Sequence, residues 1–91
     1  MKVSDSKDCV AYHYKHKRHY IAGPIEAGDN RFDLEYIKKY TLYLTDLAKK
    51  TRTQRRIRAE IENSTSLTGL LSIVDRVIEN GNKTEYVNYS C

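Results

Sequence analysis

The run Lys49-Lys50-Thr51-Arg52-Thr53-Gln54-Arg55-Arg56-Ile57-Arg58 holds six cations in ten residues, and no acid follows until Glu60. Four of the six are arginines. A guanidinium group is a planar fork of donors that matches two phosphate oxygens at once, so this composition points to contact with a polyanion. Each phosphate contacted releases condensed counterions, and affinity is then expected to fall steeply with salt. On a helix Lys49, Arg52, Arg55, Arg56 and Arg58 spread over about half the circumference, leaving Ile57 and Ile61 on the other side. Two readings compete with nucleic acid here. One is a solvated helix face balanced by Glu60, Glu62, Asp75 and Glu79; the other is a cationic surface for an acidic protein partner.

A second group of residues is Tyr12-His13-Tyr14-Lys15-His16-Lys17-Arg18-His19-Tyr20. Rings interleaved with cations suit a single-stranded nucleic acid, because rings stack on bases while cations hold the backbone. Tyr14, Lys15, Lys17 and Arg18 are the candidates for such contact. The structural alternative is a half-buried edge strand whose tyrosines pack on helices. Cys9, His13, His16 and His19 also raise a metal site. Structural zinc sites pair two close ligands with a distant pair, whereas these three histidines fall within seven residues. No metal and no cofactor are expected.

The segment Tyr20-Ile21-Ala22-Gly23-Pro24 resembles the first strand and turn of the nucleoside deoxyribosyltransferase family, where such a turn approaches a nucleoside. The resemblance covers five of ninety-one residues and matches none of the family's catalytic carboxylates. It implies no more than a nucleotide-type ligand. Enzyme signatures are otherwise missing: there is no Gly-rich phosphate loop, no G-x-S-x-G elbow and no H-E-x-x-H helix. A non-enzymatic protein is expected.

The elements that position these residues follow from periodicity. Residues 1–8 read as a polar, frayed start. From Cys9 to Ile21 tyrosines recur at period two, which predicts a short N-terminal strand closed by Ala22-Gly23-Pro24. Asp29 or Asn30 is placed to cap a helix over residues 31–50, where Leu34, Ile37, Tyr40 or Thr41, Leu44 and Leu47 or Ala48 recur at threes and fours, with Tyr36 and Tyr43 widening the stripe. Past Lys50 the stripe loses its residues and resumes, rotated, at Ile57 and Ile61. Without Gly or Pro between residues 29 and 68, a continuous but bent helix over 31–63 is expected ahead of one broken near Thr51–Thr53. Leu67, Leu70, Leu71, Val74, Val77 and Ile78 predict a helix over 66–80, with Gly81 at its left-handed end. The tight link between these two implies an antiparallel helical hairpin. Tyr and Val alternate with polar residues from Thr84 to Tyr89, which suits a short C-terminal strand. The fold class expected is mostly α, as α+β.

Ninety-one residues suit one small domain with a thin core. Sixteen Lys and Arg against twelve Asp and Glu give a net charge of +4, a field that attracts nucleic acid and acidic surfaces alike. Residues 1–10 lack the apolar run of a secretory signal, and no stretch approaches the ~20 apolar residues that span a bilayer. The two cysteines, Cys9 and Cys91, could form one bridge, but the default expectation is a cytoplasmic protein in which they are free thiols, with the sequons at Asn63, Asn82 and Asn88 arising by chance. These features together suggest a small regulatory protein binding nucleic acid, RNA ahead of DNA, through its arginine-rich helix. The rival readings are an inhibitor docking on an acidic partner, and a binder of an anionic nucleotide between subunits. The apolar stripes leave room for a homodimer.

Overall fold

The computed structural model describes residues 8–28 and 33–81. They form four α-helices: α1 (Val10–Ala27), α2 (Leu34–Asp46), α3 (Arg52–Glu62) and α4 (Leu67–Gly81). No strand occurs among the described residues. The expected C-terminal strand at 84–89 lies outside them.

The N-terminal strand is replaced by a helix, and the reason lies in which residues are buried. Val10, Ala11, Tyr14, Ile21 and Ala22 face the core of α1, at spacings of three, four and seven rather than two. Arg18 occupies the one position that breaks this stripe, and its guanidinium leaves the core to pair with Asp75 of α4, Nε to Oδ1 at 2.6 Å. Ala22-Gly23-Pro24 does not end the element. Pro24 sits in its last turns, and the chain leaves the helix at Gly28 (φ 68°, ψ 31°), whose N–H donates to the carbonyls of Ile25 and Pro24. A left-handed glycine is the usual way to release a helix end. Tyr20 to Pro24 is thus helical, and the likeness to a deoxyribosyltransferase strand and turn does not hold.

The long helix is broken. In one continuous helix Ile57 would lie about 140° around the axis from Leu44, so both could not face one core. The chain resolves this by stopping at Asp46 and restarting at Arg52. Thr51 is extended and its side chain accepts from the backbone N–H of Gln54 at 3.1 Å, capping α3. At the start of α2 the cap is Asp33, not Asp29 or Asn30, and it accepts from the Tyr36 N–H at 2.9 Å. Ser66 serves α4 in the same way, accepting from Gly69 at 3.0 Å. Gly81 belongs to α4 itself.

α2 and α3 run antiparallel: Gln54 donates to the Thr45 carbonyl at one end, and Lys38 donates to the carbonyls of Glu62 and Ser64 at the other. α4 does not pair chiefly with α3, as a hairpin would require; its most extensive packing is on α1. The shared core comprises Tyr14 and Ile21, Ile37 and Leu44, Ile57 and Ile61, and Leu70, Val74 and Val77. Through it runs a buried polar chain. Tyr14 shares a short hydrogen bond with the Thr45 hydroxyl, which donates to the Thr41 carbonyl at 3.0 Å, and Thr41 in turn donates to Ile37 at 2.7 Å. No buried side-chain nitrogen or oxygen among the described residues lacks a partner.

Cys9 is fully buried and disulfide-bonded, so the free-thiol expectation is corrected for this residue. The chain's other cysteine, Cys91, lies outside the described residues. Thiol state follows from what the fold brings together, which composition alone does not show. With it goes the ground on which a reducing compartment was expected.

Candidate nucleic-acid interface

The basic run divides between a corner and a helix. Lys49 and Lys50 lie on the link between α2 and α3, held in place where the Lys49 N–H donates to the Asp8 carbonyl at 2.8 Å. Arg52, Arg55 and Arg56 are exposed on the first turn and a half of α3, while Gln54, Ile57 and Ile61 bury the opposite face. Among the described residues none of these five cations makes an ion pair. Arg58 differs. It lies against Asp46 at 2.5 Å and Glu62 at 3.6 Å, so its charge is spent within the fold. Arg76 and Glu60 pair between α4 and α3. Of the four acids that could have balanced the run, Glu60 and Asp75 neutralise cations elsewhere.

This placement is electrostatically adverse to the helix. The N-terminus of a helix carries a partial positive charge, and acids are favoured there by roughly 0.3–1 kcal/mol each. α3 has no acid in its first turn and places Arg52 there instead. The backbone amides and the arginines present positive charge to the same solvent region.

The residues expected from the first segment are scattered by its helical form. Tyr14 is fully buried, and burial pushes its phenol far above its ordinary range, against the smaller effect of the Thr45 hydrogen bond. It presents no ring for stacking. Arg18 is held by Asp75 through two contacts, at 2.6 and 3.3 Å. Lys15 and Lys17 are exposed. His16 packs its ring against Tyr12 at 4.3 Å. Among the described residues no group of three or more His, Cys, Asp or Glu is placed to hold a metal ion.

The sequence pattern did not single out a second aromatic surface. Tyr36, Tyr40, Tyr43 and Leu47 recur at four, three and four along α2, beside the core stripe of Ile37, Thr41, Leu44 and Ala48 and about 100° around from it. Tyr36, Tyr43 and Leu47 are 53%, 57% and 46% exposed. Tyr40 meets Tyr20 of α1 edge to face at 6.3 Å, so this flank of α2 looks toward α1 while α3 covers the other. Partial burial, then the neighbouring phenols, raise the Tyr40 pKa, so its hydroxyl remains a donor. The signal was present in the chain, because Tyr36 and Tyr43 sit beside the core positions rather than on them.

No protein-family model matches the chain, and no curated protein or solved structure is detectably similar to it. No helix among the described residues is long and apolar enough to cross a membrane.

Proposed function

We propose that this protein is a non-enzymatic regulatory binder of nucleic acid, RNA ahead of DNA, and that Lys49, Lys50, Arg52, Arg55 and Arg56 meet the phosphates. One observation carries the reading. Five cations without acidic partners among the described residues gather at the corner before α3 and on its first turns, where the helix dipole repels them. A fold gains nothing from such an arrangement, but a bound polyanion turns every one of those repulsions into an attraction. Four other residues of the two basic segments have lesser roles. Arg58 and Arg18 position helices, Tyr14 belongs to the core, and Lys15 adds general positive field. With no base-reading motif, recognition would rest on backbone shape.

Fluorescence anisotropy with single- and double-stranded RNA and DNA across a salt series tests this. Replacing Arg52, Arg55 and Arg56 together by Ser should reduce the slope of log affinity on log salt by about 2 to 3, at roughly 0.7–0.9 for each phosphate that is no longer neutralised. Equal slopes for native and variant protein would end the reading. Capture of an acidic protein at this surface, with no nucleic-acid affinity at low salt, would replace it by the inhibitor reading.

A further inference from the structure

A cleft opens between the last turns of α1 and the start of α2. Its volume is about 380 Å³, and it is lined by Lys17, His19, Tyr20, Pro24, Tyr36 and Tyr40. Small-molecule sites begin at roughly 300 Å³, so it is large enough for a compact ligand. Its walls are phenol rings. Tyr20 is 54% exposed, although the fold buries the comparable ring of Tyr14 completely. His19 lies with its ring centroid 4.0 Å from that of Tyr20. The ammonium of Lys17 stands 5.3 Å from the Tyr20 ring centre. Lys17 makes no ion pair among the described residues.

The lining decides the charge of the occupant. An aromatic cage for a quaternary ammonium needs a site free of competing cations, and this one has the Lys17 ammonium in its wall and no carboxylate among the described residues that line it. A neutral proline-rich peptide would use the rings and gain nothing from the ammonium. A ligand with a flat aromatic face and a negative group uses both. We propose that this cleft binds a nucleotide, with its base against the rings of Tyr20, Tyr36 and Tyr40 and its phosphate at Lys17 and His19. The base could belong to a free nucleotide or to an unstacked residue of a single strand; the chemistry is the same. The site is separate from the arginines of α3, since α3 packs on the other flank of α2.

Calorimetric titration of the full chain tests the assignment, with AMP, UMP, adenosine, ribose 5-phosphate and a trinucleotide as probes. AMP or UMP should bind more tightly than adenosine or ribose 5-phosphate, each of which lacks one half of the recognition. Tyr36→Ala, at an exposed position, should weaken binding by about 5- to 150-fold, the effect of removing one base–aromatic stack. Lys17→Ala should abolish the preference for AMP over adenosine. Tighter binding of the trinucleotide than of AMP would identify the strand as the source, and the reverse would identify a free nucleotide. The Arg52/Arg55/Arg56 to Ser variant should bind AMP as the native protein does. If it loses long nucleic acid while AMP binds neither protein, the cleft assignment alone falls. If AMP binds both and long nucleic acid binds neither, the arginine reading alone falls. No heat with any probe at millimolar concentration overturns the cleft assignment, as does Tyr36→Ala binding AMP unchanged. Loss of a dimer in Tyr36→Ala without nucleotide binding would overturn it in favour of a second copy of the chain.

Discussion

Replacing Tyr14 by Phe should destabilise the protein near neutral pH and stabilise it in alkali. The ring is fully buried, and its hydroxyl meets Thr45, whose own proton goes to the Thr41 carbonyl. Phe keeps the packing and leaves Thr45 with one unused acceptor position, a loss of about 1 kcal/mol. For a domain of this size that lowers Tm by roughly 4–8 °C. The pH dependence comes from the phenol. Burial raises its folded pKa far above the unfolded value near 10. The folded state therefore holds the proton more tightly. That stability is present in full below the unfolded pKa and is lost as pH climbs toward the folded one. By pH 11 the native protein forfeits about 1.4 kcal/mol at this residue, and the variant forfeits none. The two stability curves should cross at about pH 10.6. Urea unfolding followed by far-UV circular dichroism, at pH 8 and about pH 11, measures both ends. A variant deficit that is the same at the two pH values would refute the reasoning, since it would mean that the phenol titrates as freely in the folded chain as in the unfolded one.

Three further substitutions probe particular residues. Arg52→Glu should raise stability by about 1 kcal/mol by placing an acid at the positive end of α3, and should weaken nucleic-acid binding in the same protein; a loss of stability would undo the dipole argument. Gly28→Ala should cost about 1 kcal/mol through backbone strain, because its φ is 68° and a Cβ there would meet nothing within 4 Å among the described residues. Gly23→Ala, at an ordinary helical φ inside α1, should cost less than Gly28→Ala, because a helix-propensity gain of roughly 0.5–1 kcal/mol offsets the clash of its Cβ with the following Pro24 ring. Thermal melts that lower Gly23→Ala as far as Gly28→Ala, or further, would contradict the conformations given to these glycines.

Much of the helical structure could be read directly. The stripe from Leu67 to Ile78 places α4 to within a residue, because each apolar position there is either buried in the core or packed against it. The basic run was equally plain, and so was the rotation of the apolar stripe past Lys50. That rotation was the sign of a break. Thr51-Arg52-Thr53-Gln54 even has the spacing of a capping box, although Gln54 spends its amide on the Thr45 carbonyl rather than on the Thr51 N–H. The first helix was hidden because Arg18 stands in its core stripe and tyrosines happen to alternate around it. A charge at a core position reads as a solvent face until its partner is known.

Composition and spacing by themselves determine that the chain is mostly helical and that its cations cluster before and along one segment. They also determine where its most regular helix runs. These properties are local, set by side-chain type and by residues no more than four apart. Only the tertiary structure decides which of those residues face solvent. It buries Tyr14, ties Arg18 to Asp75 and Arg58 to Asp46, and leaves Arg52, Arg55 and Arg56 without ion pairs among the described residues. It also brings Tyr20 of one helix beside Tyr40 of another to make a cleft. Each of these depends on contacts between residues distant in the chain, and a linear pattern carries no record of the crossing that joins them.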